Sequence, residues 1–264
     1  ALYDFTMESM QQISGAGGVI GMVQLGNETV SGLADETVWR HVCQLLNQGS
    51  EAVREFASRN DLEILVALDF TNPEDAGSYL TFAEQLDHYE VDYDVFASTY
   101  YPYWNGSLKN LTKQLSGVAK GYGKKVMVAE TSYVFTLEDT DGYENTIYDK
   151  ELLVPGYEAS VQGQSKMLRD VIQAVVDVGS EGIGVMYADA AWITVGSRDS
   201  KKNTPVWEKY GSGWASHYAS SYDENITGME GGSDVDNEAF FDSFGKVLPS
   251  LKTFAYAYSG SRAK

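Results

Sequence analysis

Short apolar runs that alternate with longer segments of helical periodicity predict an α/β fold of the TIM, (β/α)8-barrel type. Two further observations support that expectation: each apolar run ends abruptly in polar side chains, and 264 residues with 43% hydrophobic content suffice for a large core. Strands alternating with helices at this spacing indicate a parallel sheet with right-handed crossovers. Strands in such a sheet are buried on both faces, and chemistry collects at their C-terminal ends.

Residues 2–15 place Leu2, Phe5, Met7, Met10 and Ile13 at helical spacing, and Gly15-Ala16-Gly17-Gly18 closes the helix. Ile20-Gly-Met-Val-Gln-Leu-Gly26 then reads as a buried strand that stops at Asn27 and Glu28. Val38, Val42, Leu45, Leu46, Val53 and Phe56 keep helical period through residues 36–60, where Asn60-Asp61 ends them. Glu63-Ile-Leu-Val-Ala-Leu-Asp69-Phe70 is a second buried strand with polar residues arriving at its end. The unit repeats as helix 78–90 with strand 95–101, helix 108–121 with strand 125–130, and, after a long polar excursion, helix 161–179 with strand 182–187. Phe240, Phe241, Phe244, Leu248, Leu251 and Phe254 pack back as a barrel's last unit would.

Five strands and five or six helices are too few to close an eight-stranded barrel. An open, doubly wound sheet is the structural alternative, and the long decorated loops favour the barrel. The expectation is therefore strands 4–8 of a barrel with their helices, one catalytic domain over residues 1–264 whose first three strand–helix units are missing. The strand of residues 20–26 should then show a bare apolar edge unless something, such as that N-terminal half, covers it.

Acidic residues outnumber basic ones 38 to 19, and the formal charge of −19 repels phosphate backbones and anionic membrane surfaces. Nucleic acid and membrane are thereby disfavoured as partners, whereas neutral sugars and divalent cations are compatible. The 18 Tyr and 5 Trp supply flat faces for sugar rings, although most of them fill the core. Cys43 is alone and falls in a helical stretch, which excludes an internal disulfide or a zinc cluster and suits a small buried apolar residue. No run approaches the roughly 18 apolar residues of a membrane span.

Glu28 and Glu130 both sit where a strand meets its loop. Two such carboxylates on one rim suit glycoside hydrolysis, one as general acid and base and the other as nucleophile, held about 5–5.5 Å apart in retaining enzymes. From spacing alone they are equally well ordinary rim acids among 38.

Gly26-Asn27-Glu28 and Ala129-Glu130-Thr131 resemble the strand ends of the retaining hydrolases of clan A. The match narrows with Val23–Glu28, Asp94–Gly106, Val128–Tyr133, Gly211–Ala215 and Gly232–Asn237, which together and in order resemble glycoside hydrolase family 53, the endo-β-1,4-galactanases of type I arabinogalactan. The resemblance covers essentially the whole chain. It implies a secreted bacterial enzyme with Glu28 as acid/base after the fourth strand and Glu130 as nucleophile after the seventh, and counting strands back from the last gives the same places. It also implies that Asn27 hydrogen-bonds the substrate 2-hydroxyl and that Tyr100, Tyr101 and Trp104 wall the sugar sites, although strand alternation turns one of the two tyrosines inward. Tyr133 and Trp192 are further aromatic candidates, and Asp69 and Asn72 are placed to touch substrate or neighbouring loops.

Two positions depart from the family pattern. Ala188, in Tyr187-Ala-Asp-Ala190, stands where the family carries the Trp that floors the cleavage subsite, and Asn105 stands where a His follows Trp104. They leave two rivals in view: a related clan A glycosidase of shifted specificity, and a galactan-binding protein that has lost turnover.

Glu138-Asp-Thr-Asp-Gly-Tyr-Glu-Asn145 sets Asp139, Asp141, Tyr143 and Asn145 at alternate positions around Gly142, a spacing that suits calcium with its six to eight oxygen ligands. In bacterial members of the resembled family this loop binds structural calcium together with the Gly-Gly-Ser-x-x-Asp segment. The resemblance implies side-chain ligation by Asp139, Asp141, Asn145 and Asp236, with Tyr143 and Ser233 contributing backbone oxygens. Four sequons, at Asn27, Asn105, Asn110 and Asn225, are read as chance, since a glycan on Asn27 would block the site.

Overall fold

A computed structural model describes residues 1–141, 143–193 and 233–259, with isolated positions 199, 201, 202, 205 and 209. Gly142, the Gly211–Ala215 segment, the Asn225 sequon and Gly232 lie outside the described residues. In chain order the elements are α1 (Leu2–Gly15), β1 (Met22–Gln24), α2 (Trp39–Asn60), β2 (Leu65–Phe70), α3 (Ser78–His88), β3 (Val95–Thr99), α4 (Leu108–Tyr122), β4 (Lys125–Glu130), α5 (Val161–Val176), β5 (Gly182–Val185) and α6 (Lys252–Ser259). The helices begin and end where local chemistry dictates. Ser107 caps α4 by accepting the Asn110 N–H at 3.2 Å, and α4 stops at Gly123, whose φ of 64° is readily adopted only without a Cβ.

The five strands form one parallel sheet in the order β1-β2-β3-β4-β5. Strands β2 and β3 are buried along nearly their whole length, and Ala67, Val95, Ala97, Met127 and Ala129 form a small-residue core on one face of the sheet. On the opposite face Phe70 stacks on Phe96 at 4.7 Å and Tyr79 of α3 meets Phe96 at 5.0 Å. Alternation with period two therefore points Asp69 and Thr99 to the face of Ala67, Val95 and Ala97.

Strand β1 differs from the expectation. It has three residues and is half-buried rather than buried on both faces, because it is an edge of the sheet. Beside it runs a groove of about 470 Å³ lined by Phe5, Met10 and Ile13 of α1 and by Ile20 and Met22, with Phe5 and Ile13 exposed. Cys43 is buried in α2 as the sequence suggests.

The chain packs as two compact units. The first, residues 1–100, 105–130 and 173–186, contains the whole sheet and α1 to α4; the second, residues 101–104, 131–172 and 187–264, contains the loop after β4, most of α5 and α6. Within the second unit the fully buried Gln164 is a hub. Its Nε2, with two protons to give, lies within hydrogen-bond distance of the carbonyls of Tyr133 (3.0 Å), Glu238 (2.9 Å) and Ala239 (3.1 Å), and its Oε1 accepts from the Ser250 hydroxyl. Among the described residues no helix is long and apolar enough to cross a membrane.

Candidate active site

Four neighbouring segments of the first unit bring polar groups to the C-terminal edge of the sheet. Parallel register sets Asp69 beside Ala97 and Thr99 beside Glu130, so Asp69, Thr99 and Glu130 lie on consecutive strands. The turn after β1 delivers Glu28 to the same row: its N–H donates to Asp69 Oδ2 at 3.0 Å, and the Thr29 N–H donates to the Asp69 carbonyl at 2.9 Å. Thr99 Oγ1 donates to the same Asp69 Oδ2 at 3.0 Å. Glu28 adopts φ 44°, a left-handed conformation that costs a non-glycine residue of order 1 kcal/mol, and the two bonds to Asp69 hold it there. On the far side the Tyr100 N–H donates to the Glu130 carbonyl at 2.9 Å, which fixes the end of β4.

The two sequence-predicted carboxylates are thus brought together, each half-buried. Burial raises the Glu28 pKa, the Glu130 charge raises it further, and a hydrogen bond with Thr99 opposes the rise. Asp69 is pushed up to about 6 by its complete burial, against the hydrogen bonds from Glu28 and Thr99 and with the help of the Glu130 and Glu28 charges. One carboxyl biased toward its acid form beside a second carboxylate is the pairing that acid-assisted nucleophilic displacement at an acetal carbon requires.

Asn27 is exposed, its side-chain carbonyl accepting from Gln24 Nε2 at 3.1 Å. Asp69 and Tyr100, both expected near substrate, are fully buried; the Tyr100 hydroxyl donates to the Gly106 carbonyl at 2.8 Å. Of the two tyrosines Tyr100 is therefore the buried one, and Tyr101 is half-buried. Asn105 is also buried and donates to Glu74 at 3.1 Å, so this substitution faces protein rather than solvent.

In the second unit Trp104 is 54% exposed, with Tyr101 at 5.8 Å and Tyr103 at 5.4 Å between ring centroids. Tyr103 stacks in turn on Tyr133 at 4.9 Å. Tyr133 is buried, its hydroxyl donating to the Tyr157 carbonyl, so it backs this cluster rather than lining its surface. Trp192 is half-buried.

The two segments expected to join around a cation do meet in the second unit. The Ser233 N–H donates to Asp141 Oδ2 at 2.9 Å, the Thr146 N–H to the Asp234 carbonyl at 2.7 Å, and Asn237 Nδ2 to the Ile147 carbonyl at 2.9 Å. Asp141, Asn145, Ser233 and Asp236 are buried, while Asp139 and Tyr143 are half-buried. Burial and the neighbouring Asp141 raise Asp236 to about 7, and Asn145 Oδ1 and Asp236 Oδ1 have no hydrogen-bond partner. Orphaned, buried oxygens beside crowded carboxylates are the donor set a hard cation satisfies. Among the described residues no three His, Cys, Asp or Glu side chains are already arranged to hold a metal, so amide and backbone oxygens must complete any such shell.

The model of glycosyl hydrolase family 53 matches residues 1–254. The chain belongs to this family. It is 55% identical, over 98% of its length and 60% of the relative's, to the endo-beta-1,4-galactanase of Bacillus subtilis (strain 168). It is 30% identical, over 99% of its length and 64% of the relative's, to the arabinogalactan endo-beta-1,4-galactanase of Cellvibrio japonicus (strain Ueda107). Among solved structures, the family 53 catalytic domain of Ignisphaera aggregans superposes with a TM-score of 0.79 at 30% identity, covering 97% of this chain and 64% of that one. The chain thus spans about 60% of the length of these relatives, and its parallel α/β sheet is of the TIM-barrel type.

Some residues of this family 53 chain that organise the site are not evident in its sequence. Thr99 reads as one more strand residue, and Gln164 as one more polar position on α5. Glu238 follows Asp236 closely yet is fully buried, accepts from the Ser132 hydroxyl, and is raised to about 8 by burial. The signal that could have found it is an acid directly before the apolar Ala239-Phe240-Phe241 run.

Proposed function

We propose that this family 53 protein is a retaining endo-β-1,4-galactanase acting on the β-1,4-galactan of type I arabinogalactan. The observation that carries the reading is Glu28, raised by burial and by the adjacent Glu130 charge at the ends of β1 and β4. Glu130 attacks the anomeric carbon while Glu28 protonates the departing glycosidic oxygen. Glu28, now a carboxylate, takes a proton from water, and the resulting hydroxide equivalent displaces Glu130 with net retention. In this proposal β1 to β5 take the places of the fourth to eighth barrel strands, which sets Glu28 after the fourth and Glu130 after the seventh. Asn27, exposed beside Glu28, is the group assigned to the substrate 2-hydroxyl, and half-exposed Trp104 with Tyr101 supplies the stacking face. A polymeric substrate is met outside the cell, which supports an exported bacterial enzyme.

A structural calcium belongs to the same proposal, supported by the unpartnered Asn145 and Asp236 oxygens. Asp139, Asp141, Asn145 and Asp236 would hold it by side chain, with the Tyr143 and Ser233 carbonyls. When bound, the ion supplies charge neutralisation that ties the loop after β4 to the 233–237 segment, and the hydrolytic steps run through Glu28 and Glu130 without it.

Incubation with β-1,4-galactan tests the assignment: wild type should release reducing sugar, and Glu130→Gln should release at least 1000-fold less, roughly the cost of losing a nucleophile. Equal release from both would reject it. Shifted specificity is the second reading, favoured by Ala188; faster release from β-1,4-xylan or mannan than from galactan would select it. Saturable galactan binding without any release would select a non-catalytic binding protein.

A further inference from the structure

The geometry points to Gln24 as a positioning residue for Asn27: it holds the Asn27 carboxamide with the oxygen toward itself and the nitrogen outward, so that Asn27 meets substrate as a hydrogen-bond donor. The consequence for the reaction rests on the proposed function, in which Asn27 meets the substrate 2-hydroxyl. The orientation rests on the contacts alone.

Hydrogen-bond polarity fixes the order of these contacts. A backbone carbonyl only accepts, whereas a primary amide nitrogen brings two protons and accepts nothing. The Gln24 side chain lies 3.0 Å from the Gly26 carbonyl oxygen, so the atom that it turns there is Nε2. The second Nε2 proton faces Asn27 at 3.1 Å, and the Asn27 atom that answers a donor is Oδ1. Turning the Asn27 amide over would set nitrogen against nitrogen, donor against donor, and lose that bond. Each Nε2 proton thus has its own acceptor, and both protons of Asn27 Nδ2 are left to point away. Among the described residues nothing accepts from Asn27 Nδ2.

The backbone supplies the first link. Gly26 has a φ of 77°, in the left-handed region, and a Cβ there would lie 2.6 Å from Thr29 Oγ1 and 2.9 Å from Leu33 Cδ1. Glycine is therefore the residue that this turn admits without strain, and the turn leads from β1 directly into Asn27 and Glu28. Gln24 stands beside Ala67 in the parallel register, on the face of the sheet that also carries Asp69. Gln24 and Asn27 are both exposed, which leaves the outward Nδ2 open to an incoming ligand.

Carboxamide oxygen and nitrogen have nearly the same shape, so an unrestrained Asn27 would offer either one. A nitrogen donates to the 2-hydroxyl oxygen; a carbonyl oxygen in its place would take the hydroxyl proton and reverse the contact. The favoured contact is the one that strengthens as the oxocarbenium-like transition state forms. Gln24 removes the reversed alternative before substrate arrives, which is preorganisation rather than an added contact.

The test compares wild type with Gln24→Met on two aryl β-1,4-galactobiosides, one intact and one lacking the 2-hydroxyl of the ring next to the aryl group. Methionine keeps the length of glutamine and removes its donor. On the intact substrate kcat/KM should fall about 5- to 10-fold, the equivalent of one hydrogen bond, chiefly through kcat. On the deoxy substrate it should fall less than about 2-fold, because the group that Asn27 serves is gone. A loss equal on both substrates, larger on the deoxy one, or absent from both overturns the inference, since a merely structural role moves both alike. Gln24→Ala is the second variant and is held to the same outcomes. If wild type cleaves neither substrate, the proposed function fails, and 15N relaxation of the Asn27 side-chain amide decides the inference without substrate. The order parameter of that amide should fall below about 0.6, the flexible range, in Gln24→Met; an unchanged value overturns the inference.

Discussion

Replacing Gln164 by Leu should destabilise the second unit by about 3–4 kcal/mol. Leucine has nearly the volume of glutamine, so the change removes polar contacts without opening a large cavity. The Nε2 group has two protons, which limits the donors lost to two although four acceptors lie within reach: the Tyr133, Glu238 and Ala239 carbonyls and the Tyr187 hydroxyl. One of those carbonyls keeps a partner, because the single proton of the Tyr187 hydroxyl, 3.1 Å from Tyr133 O and 2.8 Å from Glu238 O, serves one of the two at a time. The Ala239 carbonyl loses its Gln164 donor, and the buried Ser250 hydroxyl loses the Gln164 Oε1 acceptor. Lost bonds at about 1 kcal/mol each, with the desolvation penalty of groups left unpaired, give the stated range. For a chain of this size that corresponds to a fall in Tm of about 6–16 °C. Urea denaturation followed by tyrosine and tryptophan fluorescence reads it directly. A change below 1 kcal/mol would show that water or neighbouring groups replace Gln164, and that Gln164 is no hub.

Four further outcomes are expected. Excess chelator should lower the melting temperature and increase protease cutting between residues 136 and 160, and unchanged melting would remove calcium from the proposal. Asp69 is raised from 3.8 to about 6 in the folded chain, so the stability it contributes is fully present below about pH 4 and is lost as pH rises through 6. Asp69→Asn should flatten that decline, worth at most about 3 kcal/mol, and an identical slope in both proteins on pH-dependent calorimetry would contradict the burial argument. Trp104→Ala should weaken binding of galacto-oligosaccharides to Glu130→Gln protein by about 0.5–1.5 kcal/mol, measured by calorimetry, and no loss would exclude it as a stacking face. Asn27→Ala should lower kcat on galactan more than it raises KM, since a 2-hydroxyl contact strengthens in the transition state; a pure KM effect would make it a ground-state contact.

The parts of the fold written in local pattern were legible from the residues. All five strands and the helices between them follow from apolar runs and from 3.6-residue periodicity, and both catalytic candidates stand where strands meet their loops. Helix ends drifted by one to three residues, as at Val176 where periodicity continued to 179, because the last turn keeps the spacing after the hydrogen bonds stop. The edge position of β1 was expected from the strand count, but its length of three residues was not legible, because a short and a long strand of Met, Val and Leu look alike until pairing is known. Side-chain direction was legible only in part. Alternation demanded that one of Tyr100 and Tyr101 turn inward without saying which, and nothing local marked Asp69 as buried. Gln164 and Thr99 escaped notice because their partners lie far along the chain or on a neighbouring strand, where hydrogen bonds leave no periodic trace.

Two local costs coincide at the end of the sheet. Glu28 holds a left-handed backbone conformation that favours glycine, and Asp69 is a fully buried carboxylate with one oxygen lacking a hydrogen-bond partner. Either would be removed cheaply by substitution if packing were all that mattered: a glycine at 28 relieves the strain, and a leucine at 69 would extend the buried strand. The two are instead coupled, since Asp69 accepts the N–H that follows the strained turn and its backbone carbonyl accepts the next one. Releasing the strain frees the carboxylate's donor, and removing the carboxylate frees the turn. A pair of unfavourable features that stabilise each other, at the point where the proposed mechanism needs a carboxyl both held in place and kept protonated, supports the reading of Glu28 as the proton donor.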